Sequence, residues 1–289
     1  MLDGVHLGHQ KILQALINKA KYHNGKSVII TFWPHPRLVI SNEPILLLNT
    51  LDEKLSLIRE KGVDYVFILP FTREFSMLSP DKFILFLYEE LKFKGIIIGY
   101  DHHFGKDGSG NFNLVKKISK SFIFDVVQVS AFKKNNKNIS STKIRNLLLS
   151  GNILRANEFL GYHYTISGTV IKGNKLGCRL GFPTANLKIP QEKLIPANGV
   201  YAVKVFCRNG QSFLGMLNIG KKPTVNTDTK KLFIEVHIFN FDRDIYGESI
   251  TASILDKIRD EKKFSNTNEL KKQLEKDKQI ISQRINHWS

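Results

Sequence analysis

The sequence is poor in cysteine, in long apolar runs and in acidic residues, and each shortage narrows the class of protein. Its 289 residues include two cysteines, Cys178 and Cys207, which are too few for a disulfide scaffold or a structural zinc site. The longest apolar runs, such as residues 83–88, are far shorter than a membrane span, and the opening residues do not resemble a signal peptide. We therefore expect a reduced, cytoplasmic protein that has no membrane partner.

The shortage of acidic residues leaves the chain strongly basic. Lysine and arginine total 43 against 26 aspartates and glutamates, which gives a formal net charge of +17 and suggests a nucleic-acid partner. However, the lysines are spread along the chain, and their clusters do not alternate with aromatic residues as a base-stacking surface would. We expect a solvated lysine-rich surface and no specific nucleic acid. A basic nucleic-acid-binding barrel protein is kept as an alternative.

The first half of the chain alternates strand and helix patterns. Short apolar runs predict buried parallel strands, and apolar residues at helical spacing predict the helices between them. We therefore predict an α/β domain over residues 1–150 with a doubly wound, Rossmann-like parallel sheet, whose ligands bind at the carboxyl ends of the strands. The predicted strands are 27–32, 63–69, Gly95–Gly99 and 124–129, and the predicted helices are 10–21, 51–61 and Pro80–Leu91.

Two histidines stand where the first of these helices begins. His6 and His9 follow a turn at Gly4 and directly precede the helical pattern of residues 10–21. The N-terminus of a helix attracts anions through its free N–H groups and its dipole. The pair is therefore suited to nucleotide phosphates; an ordinary helix start and a metal-ligand pair are the alternatives.

Other polar residues follow the predicted strands. His35 lies in a proline-rich loop after the first strand, and Asp101 lies in a glycine-flanked loop after the third, where a simple capped turn is the alternative. Ser141 and Thr142 open a later helix, which they can cap. Arg145, one turn further on, is suited to bidentate contact with a phosphate.

The pattern changes after residue 150. Residues 151–163 predict a short helix or linker that ends in glycine, and short strands with a period of two follow it. We predict a small closed antiparallel barrel over residues 164–289. A final helix packs through one stripe formed by Leu270, Leu274, Ile281 and Ile285. The predicted strands of the barrel are 164–171, 201–206, 213–219, 233–239 and 249–254.

A glycine-rich stretch that ends in Pro-Thr-Ala-Asn lies near the start of this second half. Gly173, Gly177 and Gly181 allow backbone N–H groups to close around phosphate oxygens. Thr184 and Asn186 alternate in an extended segment, so that a hydroxyl and an amide oxygen, which suit Mg²⁺, face the same side. The stretch predicts a site for nucleotide phosphate and metal, with an ordinary glycine-rich hairpin loop as the alternative.

One later strand carries a candidate base. On residues 233–239, Glu235 and His237 share one face, while Ile234, Val236 and Ile238 share the other. A carboxylate among aromatic residues can act as a general base with a raised pKa. A cross-strand ion pair with a lysine is the alternative.

Taken together, these motifs resemble the prokaryotic bifunctional riboflavin kinase/FMN adenylyltransferases, the bacterial FAD synthetases, over nearly the whole chain. The resemblance implies that the barrel phosphorylates riboflavin to FMN and that the sheet domain adenylylates FMN to FAD with release of pyrophosphate. It also implies riboflavin, FMN, ATP and Mg²⁺ as the bound small molecules. The motifs that carry it are 3–9, 31–37, 99–105 and 140–145 in the first half, and 181–186, 196–201, 218–225, 235–247 and 258–264 in the second.

The resemblance implies roles for individual residues. His6 and His9 would stabilise charge at the α-phosphorus of ATP, and Glu235 would take the proton of the ribityl 5′-hydroxyl. In the adenylyltransferase half, ATP is assigned to Asp3, Gly4, His6, His9, Ser141, Thr142 and Arg145, and the flavin to His35, Asp101 and Phe104. In the kinase half, ATP is assigned to Gly173, Lys175, Gly177, Gly181, Thr184 and Asn186, Mg²⁺ to Thr184 and Asn186, and the flavin to Asp242, Tyr246 and Arg259.

The chain departs from the family pattern in two places. An apolar strand and Gly-x-Phe precede Asp3 in the family, whereas Met1 and Leu2 stand here. We expect a truncated or misassigned start, with a riboflavin kinase whose adenylyltransferase half is disabled as the alternative. The family often has arginine at the positions of Leu176 and Cys178, so we expect weaker ATP affinity before any loss of chemistry.

Overall fold

The structure is a computed structural model that describes residues 2–41, 45–134, 137–173, 176–224, 227–284 and 288. The chain forms two compact units, residues 1–141 and 142–289. No helix among these described residues is long and apolar enough to cross a membrane.

The first unit alternates helices and strands as predicted, and most ends of the predicted elements lie within two residues of the expected positions; helices α2, α4 and α6 were not predicted. Helix α1 differs most: it begins at Leu7, three residues earlier than expected, because His6 caps it. The elements are α1 Leu7–Tyr22, β1 Val28–Trp33, α2 Pro36–Ile40, α3 Leu51–Glu60, β2 Tyr65–Pro70, α4 Arg73–Ser76, α5 Pro80–Leu91, β3 Gly95–Gly99, α6 Phe112–Phe122, β4 Asp125–Val129, β5 Lys133–Lys134 and β6 Lys137–Asn138.

The predicted parallel pairing is confirmed, but the strands form two sheets instead of one. Strand β1 pairs with β2, and β3 pairs with β4, each pair in parallel. Among the described residues, no further strand pairs with β1 or β3 and joins the two sheets. A short antiparallel hairpin, β5–β6, was not predicted.

Two apolar clusters build the core of the first unit. One packs β1 and the end of α3 against α1 through Val5, Leu13, Ile29, Ile58 and Val63. A second, largely aromatic cluster packs α5 against β3 through Phe83, Ile84, Leu87, Ile98, Val115 and Phe124. Strand β2 differs from the expectation of a buried strand, because Tyr65, Phe67 and Ile68 are exposed on it.

The second unit is the predicted antiparallel barrel with its C-terminal helix. Six strands close it in the order β10-β11-β8-β7-β12-β9. Strand β8 was foreseen only as the extended Thr184–Asn186 segment, because four residues carry too little pattern to be recognised as a strand. The elements are α7 Ser141–Leu149, α8 Ile153–Leu160, β7 Thr165–Ile171, α9 Leu176–Arg179, β8 Ala185–Lys188, β9 Gly199–Phe206, β10 Ser212–Thr224, β11 Thr227–Ile238, β12 Ser249–Arg259 and α10 Thr267–Gln283.

The compact second unit begins at Thr142. The predicted first domain ended later, at residue 150, and the predicted linker ended at residue 163. Helix α8, within the predicted linker 151–163, is attached to β12 because the Asn157 side chain donates a hydrogen bond to the carbonyl of Ile254 at 2.9 Å. The Asn157 oxygen also accepts from the backbone N–H of Tyr164 at 2.8 Å. This segment therefore forms the predicted short helix ending in glycine, and it packs with the barrel.

Helix α10 covers the barrel through the apolar stripe that its sequence predicted. Ile281 is fully buried and Leu274 packs against the same core cluster, while Ile285 lies outside the described residues. The N-cap is Asn266, whose side chain accepts from the backbone N–H of Glu269 at 2.9 Å. Capping defines where the helix begins, and the stripe defines the face that it buries.

Candidate active sites

The first candidate site begins at a buried loop before α1. The Asp3 carboxylate accepts a hydrogen bond from the backbone N–H of Leu48 at 3.0 Å, and the Asp3 carbonyl accepts from the Ser141 hydroxyl at 2.8 Å. Gly4 has a φ of +87°, and a Cβ there would lie 2.6 Å from Leu48 Cδ1. The position therefore requires glycine, and the loop places His6 at the start of α1.

His6 and His9 lie together at the N-terminus of α1, as predicted. His6 is the N-cap, and its Nδ1 accepts from the backbone N–H of His9 at 3.3 Å. The two rings stack with centroids 3.7 Å apart and an interplanar angle of 15°. Because Nδ1 of His6 is the acceptor, the proton of a neutral His6 is on Nε2.

Burial keeps both imidazoles neutral. Loss of solvent lowers the pKa of His6 to about 4, opposed by a backbone hydrogen bond and by the charge of Asp101. The pKa of His9 is also well below its usual value, chiefly through burial and then through the neighbouring His6. The Nδ1 atom of His9 is buried and has no hydrogen-bond partner among the residues that the structure describes. A neutral pair at a helix N-terminus can donate N–H groups to an anion.

The loop after β3 places Asp101 within electrostatic reach of His6, whose pKa its charge raises. His102, exposed on the same loop, was not assigned to a site; partial desolvation of its ring lowers its pKa to about 4, and its charge would lower the pKa of His9. The Phe104 ring lies between this loop and the aromatic core, with its centroid 6.0 Å from that of His102 and 6.0 Å from that of Phe83. Asp101 and His102 thus act electrostatically on the histidine pair, and the contacts of Asp101 and Phe104 with flavin stay predictions.

His35 lines a small cavity together with Asp3. It caps α2, with Nδ1 accepting from the backbone N–H of Arg37 at 3.2 Å. The same cavity is lined by Lys54, a buried lysine whose Nζ donates to the Thr31 hydroxyl at 3.0 Å. Sequence reasoning missed Lys54, because a lysine inside an ordinary helical pattern gives no sign of burial.

The ATP-binding roles of three residues at the start of α7, Ser141, Thr142 and Arg145, stay predictions. Ser141 binds the Asp3 carbonyl, as described above. Thr142 is exposed and Arg145 is half-buried, and both belong to the second compact unit.

The second candidate site is a row of three polar residues across adjacent barrel strands. Glu235 on β11 lies opposite Asn186 on β8 and opposite Asn218 on β10. Directly opposed residues of antiparallel strands have Cβ atoms about 5 Å apart on the same face, so Glu235 stands between two amides. Ile234 and Val236 are buried on the other face, which confirms the predicted division of the strand.

Asn218 was not among the predicted site residues. It is the first residue of the motif 218–225, and that motif was the one feature of the sequence that pointed to Asn218. Its relation to Glu235 depends on the pairing register of β10 and β11, and register cannot be read from either strand alone.

The glycine-rich stretch folds back onto Thr184 and Asn186. A Cβ at Gly173 would overlap the Asn186 amide, and one at Gly177 would overlap the Phe182 carbonyl and lie 3.2 Å from Thr184 Oγ1. Gly181 has a φ of +81°, with open space around it in the described part of the chain. Lys175 and the side chain of Leu176 lie outside the described residues, and Cys178 is exposed.

Three residues assigned to the flavin lie on or after the β11–β12 loop. Asp242 and Tyr246 are exposed on it, and the buried Ile245 anchors the loop between them. Arg259 ends β12, and its guanidinium lies 2.8 Å from the fully buried carboxylate of Asp277 on α10. Arg259 therefore attaches α10 to the barrel, and its contact with flavin stays a prediction.

Thr184 and Asn186 supply oxygen donors of the kind that Mg²⁺ binds. Among the described residues, no group of three or more histidine, cysteine, aspartate or glutamate side chains could hold a metal ion. Mg²⁺ commonly keeps several waters and takes further oxygens from a substrate phosphate. A threonine hydroxyl and an asparagine amide beside a glycine-rich stretch fit that kind of site.

The comparisons with known proteins agree with this division into two sites. The FAD synthetase family model matches residues 1–143, and the riboflavin kinase family model matches residues 160–285. Together the two matches cover most of the chain.

Similar proteins carry both activities in one chain. A bifunctional riboflavin kinase/FMN adenylyltransferase of Buchnera aphidicola subsp. Schizaphis graminum is 42% identical over 98% of this chain and 92% of its own. Those of Listeria monocytogenes and Escherichia coli are 39% and 36% identical over 96% and 95% of this chain, and each is covered over 88% of its own length.

A solved structure shares the fold over nearly the whole chain. It is a Streptococcus pneumoniae protein described as a macrolide-efflux protein, 31% identical, with a TM-score of 0.87 over 97% of this chain and 91% of that chain. Two family models and near-full-length relatives establish the family. The chain belongs to the bifunctional riboflavin kinase/FMN adenylyltransferases, the enzymes that convert riboflavin to FMN and FMN to FAD.

Proposed function

We propose that the barrel unit phosphorylates riboflavin at the row of Asn186, Glu235 and Asn218, and that the first unit adenylylates FMN at the His6–His9 pair. The observation that carries the kinase assignment is the placement of Glu235 between two neutral amides, one of which, Asn186, lies against Gly173 of the glycine-rich stretch. A carboxylate in that position is suited to receive a proton from a substrate hydroxyl.

In the kinase reaction, Glu235 accepts the proton of the ribityl 5′-hydroxyl while that oxygen attacks the γ-phosphorus of ATP, and ADP leaves. General-base assistance contributes roughly 10²- to 10⁴-fold. Backbone N–H groups of the glycine loop would hold the phosphates, and Thr184 and Asn186 would hold Mg²⁺. When bound, the cation offsets the charge that develops on the transferred phosphoryl group.

In the adenylyltransferase reaction, a phosphate oxygen of FMN attacks the α-phosphorus of ATP, and pyrophosphate leaves in the same displacement. The Nε2–H group of His6 is available to a phosphate oxygen because its Nδ1 caps the helix. The positive end of α1 adds to the stabilisation of developing negative charge. Orientation and electrostatics supply the catalysis, and no covalent enzyme intermediate is needed.

We also propose a cytoplasmic location. Its support is that both cysteines are free thiols, Cys178 on the surface and Cys207 in the interior, as expected in a reducing compartment.

The test is to supply riboflavin, ATP and Mg²⁺ and to separate the flavins by chromatography. FAD is expected. FMN as the final product would leave only the kinase assignment, and unchanged riboflavin would refute both. Repeating the reaction with EDTA, and then with added Mg²⁺, tests the metal separately.

A further inference from the structure

We propose that His237 is a positioning residue of the kinase site. Its side chain holds the main chain at Pro183, so that the Thr184 hydroxyl and the Glu235 carboxylate keep a fixed separation. The inference rests on the proposed kinase function, and it concerns how two substrate-contacting residues on different strands are held in register.

The argument begins with the backbone pairing of β8 and β11. Asn186 lies opposite Glu235, and Ala185 lies opposite Val236. The next residues of this antiparallel pair are Thr184 and His237, but β8 begins only at Ala185. Pro183 has no backbone N–H, so the chain that leads into Thr184 cannot continue a normal ladder.

The imidazole of His237 replaces the missing ladder contact. Its Nδ1 atom lies 2.7 Å from the carbonyl oxygen of Pro183. A carbonyl only accepts, so Nδ1 carries the proton and donates it in this bond. A side chain of β11 thus binds the main chain immediately before Thr184.

The ring has little freedom to move away. His237 is buried, and it packs edge-on against Phe182 with centroids 5.2 Å apart and tilted against Phe239 at 5.5 Å. Burial also lowers the pKa of His237, which keeps the ring neutral near pH 7 with its single proton on Nδ1. Packing and the hydrogen bond therefore select one tautomer and one orientation.

The position of His237 couples the two sides of the site. Thr184 follows Pro183 directly, and Glu235 precedes His237 by two residues on the same face of β11. Without the bond, the Pro183 carbonyl loses a buried donor and the segment carrying Thr184 is released from the strand that carries Glu235. We expect weaker binding of Mg²⁺–ATP, seen as a KM about tenfold higher, with a smaller change in kcat.

The experiment compares three substitutions at one position in the full-length protein. His237→Leu removes the donor and keeps an apolar side chain. His237→Asn keeps an N–H group close to the place of Nδ1, and His237→Gln places its N–H one bond further out. Met216→Leu is the matched control, because Met216 lies opposite His237 on β10 and is also buried. FMN formation is measured against Mg²⁺–ATP concentration, and FMN-to-FAD conversion serves as the internal standard.

The expected result is a raised KM for Mg²⁺–ATP in the Leu and Gln variants, recovery to within about threefold of the normal value in the Asn variant, and no change in Met216→Leu. FAD formation from added FMN stays normal in all four. A normal KM in the Leu and Gln variants would overturn the proposal, and so would equal losses in Gln and Asn. If the Leu variant does not fold, the Gln and Asn pair decides. Total absence of FMN formation in the unmodified protein would instead refute the kinase function itself.

Discussion

At Glu235, the chemistry depends on neighbours that only strand pairing supplies. The residue stands on β11 between Asn186 and Asn218, so neutral amides are its cross-strand neighbours on either side. A base must be within hydrogen-bond reach of the proton that it takes, in a geometry that its surroundings maintain. The flanking strands supply that geometry here.

Replacing Glu235 by glutamine should therefore stop FMN formation and leave the other reaction intact. The amide keeps the shape of the side chain and cannot accept the proton, so kcat for riboflavin should fall about 10²- to 10⁴-fold. Conversion of added FMN to FAD should be unchanged. Glu248→Gln, at an exposed glutamate of the same unit, is the control. Normal FMN formation by the Glu235→Gln variant would remove the role assigned to this residue.

The histidine pair predicts a pH dependence of stability. His6 has a pKa of about 4 in the folded protein against about 6.5 when unfolded, so the unfolded chain binds the proton first as pH falls. The contribution of His6 to the free energy of unfolding is therefore complete above pH 6.5. It is lost as pH falls towards 4, and the free energy of unfolding decreases by at most about 3 kcal/mol.

His6→Asn isolates this effect, because asparagine also caps a helix and does not titrate. Urea unfolding of the first unit at pH 7 and at pH 5 should show a smaller loss of stability at pH 5 in the variant than in the unmodified protein. The same loss in both proteins would show that His6 is not held neutral by the fold.

At the scale of whole elements, one buried ion pair attaches α10 to the barrel. Asp277 is fully buried and accepts from both Nε and Nη2 of Arg259, at 2.9 and 2.8 Å. Gln273 donates to the same carboxylate at 2.8 Å. The helix is thus held by a polar contact in addition to the apolar contacts of Leu274 and Ile281.

Asp277→Ala should consequently destabilise the second unit by about 3 kcal/mol, because it leaves a half-buried guanidinium without its counter-charge. Urea unfolding measured by tryptophan fluorescence and circular dichroism tests this. Asp260→Asn is the control: Asp260 pairs with Lys257 at the surface, where solvent screens the pair, and its unfolding midpoint should not move. Equal urea unfolding midpoints for the two variants would contradict the conclusion that Asp277 attaches α10 to the barrel.

At the scale of the molecule, two sites in two compact units imply that each reaction can proceed without the other. Glu235→Gln should fail to make FMN, and His9→Ala should stop at FMN. A mixture of the two variants should convert riboflavin to FAD, because FMN released by one protein is a substrate for the other. The flavins are again separated by chromatography.

The control for this mixture is each variant alone with riboflavin and then with FMN. A mixture that accumulates FMN without FAD would show that FMN does not pass through solution between the two sites. Loss of the kinase reaction in His9→Ala would contradict the assignment of the two activities to separate units.

Much of the architecture is present in local patterns. The continuous apolar runs that became β1 to β4 and the period-two strands of the barrel predicted the right class of structure for each half. Separation of the parallel strands into two sheets was not predictable from them, because an apolar run indicates a strand and does not show its partner. Strand β8 was missed for a related reason: four residues have no detectable period.

The site residues divide in the same way. His6, His9, Thr184, Asn186 and Glu235 were proposed from residue type, spacing and the family resemblance. Asn218, His102 and Lys54 were not proposed, because only the fold places them beside those residues or beside the cavity at His35. The Arg259 guanidinium is bound by Asp277, eighteen residues away along the chain, a pairing that neither segment indicates by its own sequence.

The sequence by itself determined the two domains, the family and the kind of chemistry, since these depend on composition, periodicity and motifs that are contiguous in the chain. Only the tertiary structure decided which groups meet: Glu235 with two asparagines, His237 with the carbonyl before Thr184, and two stacked imidazoles that are largely withdrawn from solvent. The physical reason is that hydrogen bonds, strand register and desolvation act between residues that are close in space and distant in sequence.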